Sequence, residues 1–196
     1  PFQMGPAGSS KLITHSHKKI IASQEITKLE YKALVGSVPP ESTCNKPKCP
    51  VTNVRWHDAA NYANLMSKRD KLQECYTCTK VGTINNCTPK NATSSKHFQC
   101  TGYRIPSESE WEFLARGGTT GDLYGLLDDI AWHGGNSLNV LHETGLKKPN
   151  AYGLYDMIGN AGELVDWYFG CNPSSLLCTS NPQGRRAMRG CFYTDS

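Results

Sequence analysis

The residues best placed to do chemistry lie between Asn150 and Trp167, where Asp156, Asn160, Glu163 and Asp166 are set among Leu154, Tyr155, Met157, Ile158, Leu164, Val165 and Trp167. Carboxylates that close to buried apolar side chains need a partner, because an unpaired buried charge is very costly. A hard cation held by carboxylate and backbone carbonyl oxygens supplies one. Gly153 and Gly159 interrupt the run where the backbone needs a positive φ or a close approach.

Cysteine is the second reactive residue type, with nine in the chain. So many, so clustered, point to an oxidising compartment. Cys44 and Cys49 flank a short loop, as do Cys171 and Cys178, while Cys75, Cys78, Cys87 and Cys100 share a polar insertion. Disulfides are the expected state of these eight. The competing reading is a zinc site at Cys75, Cys78, Cys87 and Cys100, but only its first pair is close in sequence, whereas zinc ribbons present two close pairs. An odd count leaves one thiol over, and Cys191 is the candidate. His15 and His17 would share a face on a strand, yet are expected to be surface or turn histidines. His57, His97, His133 and His142 show no ligand spacing, and nothing beyond nearness in sequence supports a dyad built on Asp58 or Asp166.

These residues need elements to hold them. Residues 1–36 read as short strands around a polar turn, and Pro39 to Pro50 as a loop. Trp56, Ala59, Ala60, Ala63 and Met66 recur at helical spacing. The insertion, about 72–100, has little core of its own and carries two N-glycosylation patterns, at Asn86 and Asn91. Ser107 and Glu110 form a capping box for a helix burying Trp111, Leu114 and Ala115, which Gly117 and Gly118 stop. Tyr124 to Asn150 should be coil with short strands anchored by Trp132, and Arg186 to Tyr193 a last strand.

Eighteen glycines and eleven prolines predict a loop-rich fold. With 38% hydrophobic residues and no apolar run near the ~20 a membrane helix needs, no membrane span is expected. The net charge of +4 is dispersed, so no nucleic-acid partner is expected either. Opening on Pro1, the sequence reads as a mature or trimmed piece without a targeting segment.

The run from Asn150 to Leu164 (N-A-Y-G-L-Y-D-M-I-G-N-A-G-E-L) resembles the signature of the formylglycine-generating enzyme, or sulfatase-modifying factor, family. Phe2 to Gly5, Gln24 to Tyr31, Pro50 to Ala59 and Tyr103 to Gly117 resemble its other motifs, in the same order. The resemblance implies a single α+β domain over 1–196, a variant of the C-type-lectin-like fold, coil-rich, with two main helices and short antiparallel strands. It places a calcium ion on the side chains of Asp156 and Glu163 and the backbone carbonyls of Gly159 and Ala161. The alternative is that these carboxylates cap turns or pair with Arg104 or Arg116. A second calcium site, which would start near Asn136, is not expected. Where the family commonly has a serine N-cap before Trp56 this chain has Arg55, so that cap should be lost.

Active members oxidise a sulfatase cysteine to formylglycine with dioxygen, using a copper-binding cysteine pair just after an R-G-G-S motif. Here the matching run is Arg189 to Tyr193, with Cys191 at the second glycine and Phe192 at the serine, and Asp195 falls where the first catalytic cysteine belongs. An aspartate is a hard ligand and does not replace a thiolate for Cu(I), so copper is not expected. The related iron sulfoxide synthases need a histidine triad from a further helical domain, which this chain does not supply. The family's closing strand is not found in these residues, so either the sequence continues past Ser196 or a partner strand completes the sheet.

The expected function is a non-catalytic recognition module, secreted, periplasmic or on a cell surface, with an unidentified protein or glycan ligand. The alternative is an oxygen- and copper-dependent formylglycine-generating oxidoreductase seen as a fragment.

Overall fold

The computed structural model describes residues 2–4, 11–13, 21–41, 43–91, 95–168 and 186–195. His15, His17, Cys171 and Cys178 lie outside them. Strands β1 (Phe2–Met4) and β2 (Lys11–Ile13) pair antiparallel. Contrary to the strands expected over 1–36, α1 spans Lys28–Val35. Its cause is a capping box missed in the sequence: Thr27 accepts from the Glu30 amide, and the Glu30 carboxylate accepts from the Thr27 amide at 2.9 Å. Gly36, at φ +89°, ends the helix.

Helix α2 (Trp56–Arg69) has Arg55 at its N-cap with no capping side chain, as expected; Arg55 pairs instead with Asp58 at 2.8 Å. Burial of Trp56, Ala60 and Ala63 holds the helix in place of a cap. Tyr62 stacks on Tyr31 of α1, ring centroids 5.1 Å apart.

The insertion departs from expectation. It forms a hairpin, β3 (Tyr76–Val81) and β4 (Ile84–Pro89), whose base is core. Cys75, Tyr76 and Cys87 pack with Trp56, Ala60, Ala63 and Ile105. The Tyr76 hydroxyl accepts from the Ile105 amide at 2.9 Å, and Asn64 bonds both backbone groups of Tyr76. Disulfides Cys75–Cys100 and Cys78–Cys87 tie the hairpin, and Cys44–Cys49 closes the preceding loop. The four cysteines of the insertion are thus cross-links and not zinc ligands. Buried half-cystines act as small hydrophobes, which is why this polar-looking segment has a core.

Helix α3 (Glu108–Arg116) carries the predicted Ser107/Glu110 capping box and stops at Gly117, φ +54°. Between 124 and 150 no named strand forms. There is one helical turn, α4 (Leu127–Ile130), and a single bridge from Trp132 to Gly159. Strand β5 (Glu163–Tyr168) pairs antiparallel with β6 (Arg186–Arg189). The predicted last strand stops four residues early because Gly190 (φ +92°) and Cys191 (φ +63°) turn the chain. Val165, fully buried, packs with Trp111, Ala115, Leu154 and Met157. A third cluster joins the Cys44–Cys49 disulfide to Leu141 and Ala161, with Tyr193 against it. Among the described residues no helix is long and apolar enough to cross a membrane.

Candidate functional site

Three acidic side chains, Asp156, Glu163 and Glu25, are held on or against the loop that runs from Asp156 into β5. Asp156 is 1% exposed and sits at φ +55°. Its Oδ2 accepts from the Gly145 amide at 2.6 Å, while Oδ1 is buried with no hydrogen-bond partner. Glu163 opens β5, and its Oε2 accepts from the indole N–H of Trp111 on α3. Glu25, which the sequence reading did not single out, is 8% exposed. Its Oε1 accepts from the Ala161 amide at 2.9 Å and its Oε2 from the Asn160 side chain at 2.8 Å.

Burial pushes all three carboxyls up. Glu25 stands well above the usual carboxylate range, from burial first and then from the charges of Asp156 and Glu163, against bonds from Ala161 and Asn160. Burial raises Asp156 despite the Gly145 amide. Burial raises Glu163 to about 7, with the Trp111 bond opposing and the Asp156 charge adding. Among the described residues no basic side chain pairs with any of them. Arg104 and Arg116, the partners considered from sequence, are used by Glu110 at 2.7 Å and Glu112 at 2.8 Å.

The orphaned oxygen of Asp156, buried and without a basic partner among the described residues, is a donor of the kind a hard cation takes. No three His, Cys, Asp or Glu side chains among the described residues could hold a metal ion by themselves. Any cage here would therefore need backbone carbonyls as well, as in the Asp156, Gly159, Ala161 and Glu163 set that the resemblance implies. Gly159 is required for a separate reason: a Cβ there would lie 2.2 Å from the Trp132 carbonyl oxygen.

The other acids and histidines have structural partners. Asp166 pairs with Arg186 at 2.7 Å and lies 2.9 Å from His97 Nε2, without hydrogen-bond geometry to that ring. Asp58 bonds Arg55 and Asn85. His57 is fixed on the Cys87 backbone, His133 on Asp128, and His142 stacks on Trp132 at 3.7 Å. They do not converge.

The segment after β6 carries the other candidate reactive residues, Cys191 and Asp195. Cys191 is exposed and unpaired. Asp195 Oδ2 accepts from the Phe192 amide at 2.8 Å, capping its own turn, and its carbonyl accepts from Gly134 at 2.8 Å.

Residues 13–196 match the model of the sulfatase-modifying factor enzyme 1-like domain. The chain belongs to this family. As a sulfatase-modifying-factor domain it is 27% identical to the chaperone protein LppX of Paenibacillus barcinonensis, over 76% of this chain and 62% of that protein. It is 26% identical to the formylglycine-generating enzyme of Thermomonospora curvata, over 78% of this chain and 43% of the enzyme. With the inactive C-alpha-formylglycine-generating enzyme 2 of Bos taurus it shares 33% identity, over 48% of this chain and 34% of that protein. The chain thus spans less than two thirds of these relatives. Among solved structures, Treponema denticola variable protein 1 superposes with a TM-score of 0.67 at 29% identity, covering 88% of this chain and 72% of that one. Both the α+β class and the sulfatase-modifying-factor version of the lectin-like fold expected from sequence are therefore those of the molecule.

Proposed function

We propose that this sulfatase-modifying-factor domain is a non-catalytic, extracytoplasmic recognition module braced by disulfides and by one calcium ion. The observation that carries it is the role of Asp195. At the position the resemblance gives to the first catalytic cysteine stands a carboxylate that caps its own turn, and the six disulfide-bonded cysteines leave Cys191 no thiol partner among the described residues. A Cu(I) centre needs soft thiolates. Disulfides support a site outside the reducing cytosol. Exposed Val81 and Ile84 at the tip of the β3–β4 hairpin support a protein or glycan partner there, since ligands bind loops on a rigid frame. Calcium would be held by the Asp156 and Glu163 side chains and the Gly159 and Ala161 carbonyls, and would supply the missing counter-charge.

The second reading, a copper- and oxygen-dependent oxidoreductase acting on a sulfatase cysteine, is favoured by the similarity to the Thermomonospora curvata enzyme. Cu(I) competition titration and oxygen uptake with a cysteine-containing peptide separate the two. The expected result is no two-thiolate copper site and no uptake; copper-dependent peptide oxidation would overturn the recognition-module reading.

A further inference from the structure

The loop proposed to hold calcium is bonded directly to the segment that follows β6. Gly159 donates its amide to the Gly190 carbonyl at 2.6 Å, and Tyr193 donates its amide to the Asn160 carbonyl at 3.0 Å. The peptide group joining Asn160 to Ala161 is thereby gripped on both sides, its N–H by Glu25 and its C=O by Tyr193. It lies between the Gly159 and Ala161 carbonyls, so its tilt sets the aim of both. Asn160, fully buried, is fixed further by Trp132 and His142.

Residues 190–195 are also held by Tyr193 packing against the Cys44, Cys49, Leu141 and Ala161 cluster. Tyr193 accepts from Ser137 Oγ at 2.7 Å and Asp195 from the Gly134 amide at 2.8 Å. Against these stands a left-handed Cys191, a conformation unfavourable for a residue with a side chain. The Phe192 ring lies over Gly162, where a Cβ would sit 2.8 Å from it.

We propose that calcium binding and docking of residues 190–195 are one coupled equilibrium, with the Asn160–Ala161 peptide as the link. This rests on the calcium reading above. A cation that fixes the two carbonyls fixes the peptide between them, and with it the acceptor for Tyr193. By reciprocity the docked segment raises calcium affinity by the same factor. The ion thereby decides how Phe192 and Cys191 are presented at the surface.

Hydrogen exchange by mass spectrometry on the full chain, in calcium and in chelator, tests this together with calcium titration calorimetry. Calcium should slow exchange of the 190–195 amides about tenfold. Ser137→Ala, which removes the hydroxyl that donates to the Tyr193 carbonyl and accepts from the Asn139 amide, should weaken calcium binding about threefold. Calcium binding with 190–195 exchange unchanged overturns the coupling and leaves the cation site standing. Absence of any calcium binding by the unmodified protein fails the cation reading itself, and the coupling with it.

Discussion

Two sets of buried carboxylates can be compared within one fold. Glu110, Glu112 and Asp166 each face a guanidinium: Arg104, Arg116 and Arg186, at 2.7, 2.8 and 2.7 Å. Glu25 and Asp156 are as deeply placed, Glu163 is half-buried, and among the described residues all three meet only hydrogen-bond donors and one another's charge. The first set is architecture; Arg104 also reaches the Phe98 carbonyl and lies over the Phe98 ring, tying α3 to the end of the hairpin insertion. The second has an acceptor left over, Asp156 Oδ1. Comparable burial of Glu25 and Asp156 with unequal compensation is what separates the second set from the first.

The largest test of this contrast removes a counter-charge. Arg104→Ala should destabilise the protein by ~3–5 kcal/mol in urea unfolding, because Glu110 would be left charged and buried. Asp156→Asn, the corresponding change in the other set, should be neutral or slightly stabilising in chelator. Equal losses from both would erase the distinction.

Next in size is the response to calcium. At a concentration a hundred times its dissociation constant the ion should add ~2.7 kcal/mol to stability, seen as a higher midpoint in thermal unfolding. Glu163→Gln should abolish the increment. A wild-type midpoint that does not move with calcium would place the second set with the first.

Acidification provides a further contrast through Glu41, a partnered carboxylate outside both sets. Burial raises its carboxyl, but bonds from the Thr43 hydroxyl, the Thr43 and Cys44 amides and Lys28 outweigh it and hold the group at about 2. Its folded value lies below its unfolded one, so its contribution is present above pH 4.5 and is lost as pH falls toward 2. Glu41→Gln should flatten that part of the stability–pH profile. The smallest effect belongs to the caps. Ser107→Ala should cost ~1 kcal/mol, whereas Arg55→Ala, with no cap to lose, should change stability by under ~0.5 kcal/mol. Both are read by denaturation midpoint.

Much of the frame was legible because it is local. The Ser107 capping box, the bare Arg55 cap, the α2 stripe and the acidic loop around Gly159 all act over a few residues. Thr27 and Glu30 show the same signature, and α1 was missed only because a strand-rich start was expected. The hairpin's core was not legible, since a half-cystine reads as a cross-link before it reads as a buried hydrophobe. Glu25 had no signal of its own: its partners, Asn160 and Ala161, are 135 and 136 residues away.

Sequence by itself determined the family, the two main helices α2 and α3 with their N-caps, and the acidic loop whose types suit a hard cation. Tertiary structure alone decided which carboxylates are neutralised, because whether an arginine reaches a buried acid depends on where distant segments cross. It also decided that Glu25 grips the loop from one side and Tyr193 from the other. Burial and pairing are properties of the packed chain, and composition does not carry them.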